Sequence, residues 1–180
     1  MSECETDTAG GQRSGTSDGV EVIDFEPGYA ADFKRLNVEW LEKYFAVEPI
    51  DERMLSEPLR FIVEPGGAIL LARLGDEIVG TCALMKAGDG RFELSKMAVT
   101  ERFQGRRIGR QLLVAAIARF QQLNGRELFL QSNSILTPAL TLYEAHGFVH
   151  APRPEGPSHY HRGNVYMVYS PDAQRSPVSD

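Results

Sequence analysis

Apolar positions along this chain recur at two periods, and each change of period marks a new element. Val20–Phe25 reads as a short β-branched strand. From Gly28 to Phe45, the residues Tyr29, Phe33, Leu36, Trp40, Leu41 and Tyr44 return at helical spacing, so one stripe faces a core. Asp51–Leu59 predicts a second short helix, closed by Pro58. Ala68–Leu74 and Ile78–Leu84 are apolar runs joined by Gly75-Asp76-Glu77, the pattern of a β-hairpin. Ala87–Gly90 makes another turn before a strand over 92–99. An amphipathic helix follows from Ile108 to Leu123, with Asn124-Gly125 as its stop. Leu128–Gln131 is the next strand. Thr137-Pro138 then opens a helix, threonine as N-cap and proline first in the helix, which runs to His146 and is capped by Gly147. Strands at Phe148–His150 and Asn164–Tyr169 complete the order. It predicts an α/β domain: a mixed central sheet with antiparallel N-terminal strands, a parallel pair that splays apart at 92–99 and 128–131, and helices on both faces.

Composition narrows the function classes. Residues 1–18 are polar and rich in Gly, Ser and Thr, and read as a disordered leader; 171–180 read as a flexible tail around a single domain at 19–170. A formal net charge of −6 disfavours nucleic acid or an anionic membrane as partner. No apolar run approaches spanning length. Cys4 and Cys82 are too few for a disulfide framework and fit a reducing cytoplasm. The alternate histidines of His159-Tyr160-His161 have no cysteine or carboxylate cluster beside them, so no metal is expected.

Two stretches carry chemistry. In the strand 92–99, Phe92 and Leu94 share one parity while Met97 and Val99 share the other. A side-chain period of two shifts in this way across an extra residue, so a β-bulge near Ser95-Lys96 is expected; burial of both faces would produce the same pattern. A bulge leaves backbone groups free for a peptide-like ligand. The loop Gln104-Gly105-Arg106-Arg107-Ile108-Gly109 then joins this strand to a helix start. The first N–H groups of a helix lack intrahelical acceptors and the dipole there favours an anion, so the loop suits phosphate. Further on stands Leu142-Tyr143-Glu144-Ala145-His146-Gly147-Phe148.

Residues 92–148 resemble the core of the N-acetyltransferases of the GNAT superfamily. Gln104, Ile108 and Gly109 fit that family's Gln/Arg-x-x-Gly-x-Gly/Ala loop, with Arg107 where it has its first glycine. Leu142-Tyr143-Glu144-x-x-Gly147-Phe148 matches its second marker. More broadly, residues 20–169 are similar to bacterial GNAT proteins of the kind also found fused to MarR-type regulators, in Trp40…Tyr44-Phe45 and in Asn164-Val165-Tyr166-Met167.

The resemblance implies the acyl-CoA N-acyltransferase fold and acetyl-CoA as co-substrate. It further implies a primary amine of a small molecule or protein as acceptor, with direct attack in a ternary complex. Backbone amides of Gln104, Gly105, Arg106, Arg107, Ile108, Gly109 and Arg110 would hold the pyrophosphate, with the arginines adding charge. Met97, Ala98 and Val99 would pair with the pantetheine arm. Asn133 stands as a further pantetheine contact or a turn residue. Arg107 in the glycine position implies that this residue needs neither a positive φ nor the closest backbone approach.

Tyr143 is the expected acid that protonates the departing thiolate; the alternative is a packed helix tyrosine. Glu93 lies at the offset of the strand glutamate that serves as base in the superfamily's histone acetyltransferases; the alternative is a solvent-facing charge. Acceptor contacts are expected from Tyr44, Tyr160 and Arg162, with Trp40, Glu48 and Tyr166 near them, and Trp40 is foremost a packing residue. A homodimer is compatible with this reading. A non-catalytic acyl-CoA sensor is the competing class. Neither a P-loop nor a dinucleotide-binding glycine motif occurs.

Overall fold

The computed structural model describes residues 19–155 and 163–174. Its strands are β1 (Val20–Asp24), β2 (Ala68–Leu74), β3 (Glu77–Gly88), β4 (Arg91–Val99), β5 (Glu127–Ser132), β6 (Phe148–His150) and β7 (Val165–Tyr169). They form one sheet in the order β1-β2-β3-β4-β5-β7-β6. Every neighbouring pair is antiparallel except β4 with β5, which is parallel. The helices are α1 (Ala30–Tyr44), α2 (Pro49–Ser56), α3 (Ile108–Gln122) and α4 (Thr137–Glu144). This is the mixed sheet expected from the period changes.

Alternate residues of a strand point to opposite faces, and β2 divides the core accordingly. Leu70 and Ala72 belong to a cluster with Ile108, Leu112, Leu113 and Ala116 of α3. Ile69 and Leu71 belong to another with Phe33, Leu36 and Leu41 of α1 and Leu55 of α2. Leu112 and Phe33 are fully buried, and each such side chain contributes about 1.5–3 kcal/mol relative to exposure. The first turns of α3 press onto β3 at Gly80. A Cβ there would lie 3.0 Å from Leu112 Cδ1 and 3.3 Å from Ile108 Cγ2.

The feature that positions the site is the departure of β4 from β5. Their pairing covers Arg91–Leu94 against Glu127–Leu130 and then stops. On the other edge, Ser95 pairs with Ala83 and Ala98 with Thr81. Three steps on β4 therefore match two on β3, and Lys96, within the gap, has φ 52°. The bulge inferred from parity exists, and from it onward the β5-facing edge of β4 has no partner strand among the described residues.

Local boundaries differ from expectation for identifiable reasons. α2 starts at Pro49 rather than Asp51, because Glu48 and Asp51 form a reciprocal capping box and proline suits the first helical turn. After Pro58 the chain makes a π-type turn, Leu59–Val63. Thr137 is not the N-cap of α4. The cap is Leu136 and makes no side-chain bond, because Asn133 organises the preceding turn: its carboxamide oxygen accepts from Ile135 N at 3.0 Å and its backbone carbonyl accepts from Leu136 N at 3.0 Å. The helix then ends at Glu144, short of His146.

Candidate active site

Where β4 and β5 separate, a cavity of about 670 Å³ enters the protein. One wall is the C-terminal half of α1, with Asn37, Trp40, Leu41 and Tyr44. The floor is β4 from Glu93 to Val99, and the far wall is the loop before α3 together with Leu142 and Tyr143 of α4. Of the expected residues, Glu93, Met97, Ala98, Val99, Gln104, Gly105, Arg107, Ile108, Gly109, Arg110, Asn133, Tyr143 and Tyr44 all line it. The structure thus gathers residues from four separate stretches of chain around one space.

Arg106 is the exception. It does not line the cavity, and its guanidinium lies 5.3 Å from the ring centroid of Phe103. Arg107 corrects the sequence reading in a different way. It has φ 62° and ψ 15°, a left-handed conformation, and is the N-cap of α3. The position does require a positive φ, as does neighbouring Gly105 at 79°. A non-glycine residue there carries a backbone cost of about 1–2 kcal/mol.

Its carbonyl nevertheless accepts the first helical bond, from Gln111 N at 3.1 Å. Gly105 and Arg107, on either side of Arg106, are both left-handed, and both line the cavity. Arg110 is held by His146: His146 Nδ1 is 2.8 Å from the Leu142 carbonyl, which only accepts, so Nε2 is left to accept from Arg110 Nε at 3.4 Å.

On the bulged strand, the Val99 carbonyl already accepts from Gln104 Nε2 at 3.1 Å. Gln104 thereby ties the loop to the end of β4. Tyr143 donates from its hydroxyl to Met97 Sδ at 3.8 Å, and its ring meets Phe148 at 5.8 Å between centroids. Burial raises the Tyr143 pKa well above the ordinary phenol range, and a charge on nearby Cys82 would raise it further. The hydroxyl therefore keeps its proton through neutral pH. The same burial pushes the Cys82 thiol up to about 12.

Glu93 is buried, at 9% exposure, which removes the solvent-facing alternative. Its Oε1 accepts from Gln131 Nε2 at 3.2 Å. Next to it lies a pair that sequence reasoning did not find. Lys96 Nζ is 2.8 Å from Asp51 Oδ1, with side-chain exposures of 5% and 0%. Asp51 also accepts from Glu48 N at 3.2 Å through its other oxygen, so one carboxylate closes the α2 cap and compensates a buried ammonium. Asn133 both lines the cavity and makes its turn. Tyr166 does not line it: the ring is buried and stacks on Phe129 at 5.4 Å. Glu48 is spent on the helix cap. Tyr160 and Arg162 lie outside the described residues, as do His159 and His161. Among the described residues, no group of three or more His, Cys, Asp or Glu could hold a metal.

The family model for the Acetyltransferase (GNAT) domain matches residues 65–150, which hold the bulge, the loop and Tyr143. The uncharacterized N-acetyltransferase YvbK of Bacillus subtilis (strain 168) is 29% identical over 104 residues, 56% of this chain and 67% of the relative. Over these residues the chain is similar to the acetyltransferases of the GNAT superfamily. Its fold agrees with solved GNAT structures. An acetyltransferase of Staphylococcus aureus Mu50 superposes with a TM-score of 0.76 at 20% identity, over 84% of this chain and 99% of that one. The PaiA N-acetyltransferase of Thermoplasma acidophilum, solved with coenzyme A, gives 0.65 at 16% identity over 83% and 98%. The matched GNAT segment begins after α1 and α2, so the wall bearing Trp40 and Tyr44 lies outside it. No helix among the described residues is long and apolar enough to cross a membrane.

Proposed function

We propose that this protein is an N-acetyltransferase that moves acetyl from acetyl-CoA to a primary amine by direct attack in a ternary complex. The observation that carries the reading is Tyr143. Its protonated hydroxyl sits against Met97 of the bulged strand, in the same cavity that the phosphate-type loop and Glu93 line. The residues present fit the donor. Loop amides at Gln104–Gly109, with Arg107 and Arg110, receive the pyrophosphate, and the free edge of β4 receives the amide-bearing arm. Coenzyme A in the Thermoplasma acidophilum structure supports the same donor.

Direct attack needs a neutral amine. Glu93, through its own carboxylate or a water, takes the ammonium proton, and the nitrogen lone pair forms the C–N bond as the C–S bond breaks. The sulfur keeps the bonding electrons and takes the Tyr143 proton. The phenolate left behind recovers a proton from the amide nitrogen by way of solvent, so one proton passes in sum from amine to thiol.

Tyr143→Phe keeps the ring and removes the proton. It should lower kcat about 10²-fold or more while leaving acetyl-CoA affinity by calorimetry near the parent value. Glu93→Gln should lose turnover most at low pH, where the amine is charged. Unchanged kcat in Tyr143→Phe would sink the acid role. Acetyl-CoA binding with no thiol release from any amine would favour a sensor instead.

A further inference from the structure

We infer that the acceptor is a primary monoamine carried on an aromatic body, selected by Trp40, Tyr44 and Phe45. This rests on the acyl-transfer reading above and names its substrate class. Trp40 and Tyr44 stand one helical turn apart on α1, and Phe45 leaves the helix in an extended conformation that turns its ring back onto them. The Trp40 ring lies 5.6 Å from Tyr44 and 5.6 Å from Phe45, and those two are 6.5 Å apart. All three line the cavity, and Tyr44 retains 39% exposure. Three rings exposing their surfaces to one cavity reward a flat apolar group. Ring pairs favour offset or tilted contact, and the burial of aromatic surface adds to it.

Charge decides between amine classes. The described residues lining the cavity include two carboxylates, Glu93 and Asp51. Asp51 is already paired with the buried ammonium of Lys96. Among the described residues, at most one carboxylate is therefore left for a cationic centre, whereas a polyamine or an aminoglycoside brings several charges that each need compensation when desolvated. Among the described residues on this side, Lys96 is matched by Asp51 and so offers no net positive charge for the carboxylate of an amino-acid acceptor. One charge and an aromatic wall fit an arylalkyl monoamine.

The chain has a single tryptophan, and it is in this wall, so binding is read without turnover. The protein with saturating CoA is titrated with 2-phenylethylamine, spermidine and glycine while Trp40 fluorescence is followed. Saturable change is expected with 2-phenylethylamine, at least tenfold tighter than with the other two. Tyr44→Ala should weaken it about three- to tenfold while leaving CoA affinity by calorimetry unchanged, the melting temperature falling only by the lost ring contacts to Trp40 and Phe45. Tighter binding of spermidine or glycine, no saturable response to 2-phenylethylamine, or an unchanged constant in Tyr44→Ala each overturns the inference. Thiol release measured in parallel separates the two claims. Turnover with spermidine keeps acyl transfer and refutes the aromatic acceptor. Tight 2-phenylethylamine binding without thiol release keeps the acceptor and refutes transfer.

Discussion

Arg107 occupies a backbone position made for glycine, and replacing it separates what its main chain costs from what its side chain contributes. With φ 62° the residue sits in the left-handed region, at an exposed N-cap with no side-chain capping bond. A side chain there costs about 1–2 kcal/mol, of which glycine returns about 0.5–1 through its greater freedom in the unfolded chain. Arg107→Gly should therefore gain about 1 kcal/mol, or about 2–4 °C in Tm for a chain of this size. Arg107→Ala retains the left-handed cost and should gain nothing. Both variants lose the guanidinium at the phosphate end of the cavity. If that group touches the donor, both should raise the acetyl-CoA KM by about tenfold, equivalent to about 1.4 kcal/mol. Calorimetric melting and thiol-release kinetics on the three proteins suffice. Equal melting temperatures for the glycine and alanine variants would refute the backbone account. An unchanged KM in both would refute the phosphate contact.

Two further substitutions test the buried groups. Lys96→Met keeps the positive φ at the bulge but strands the fully buried Asp51 carboxylate, and should cost about 3–5 kcal/mol in urea unfolding. Adding Asp51→Asn should recover most of that loss, and a loss below about 1 kcal/mol in the single variant would show that the pair is not a strut. Cys82 makes stability pH-dependent on the alkaline side. The native thiol holds its proton to about 12 against 9.0 when unperturbed. Between those values the unfolded chain binds fewer protons, so this contribution is whole below pH 9 and falls by about 1.4 kcal/mol per pH unit above it. Unfolding by urea at about pH 8 and about pH 10 should show a steeper decline in the parent than in Cys82→Ala; equal declines would contradict it.

Much of the fold was legible because strand and helix periods are local. The phase change between Leu94 and Met97 located the bulge without any knowledge of the neighbouring strands, since an extra residue moves every later side chain to the other face. The glycine-bearing loop and the segment Leu142–Phe148 were legible for a similar reason, as short runs whose backbone geometry constrains the residues allowed. Local rules also misled at Arg107, where a side chain in the glycine position suggested an ordinary φ and the turn into α3 imposed a left-handed one.

By itself, the sequence determined the order of elements, a change of phase that a bulge or burial of both faces would explain, and the residues able to hold a phosphate or lend a proton. Only the tertiary structure decided which of them share a space. Lys96 and Asp51 are 45 residues apart, and nothing near either predicts the other. Parity placed Glu93 on a face but did not say what covers that face; in the fold it is buried in the cavity wall beside Gln131. Arg106 and Arg107 are adjacent in the chain, yet one lies outside the cavity and the other lines it, because the loop turns between them. Contact between distant segments follows from how the apolar faces of whole elements pack, a long-range balance that no short window of residues contains.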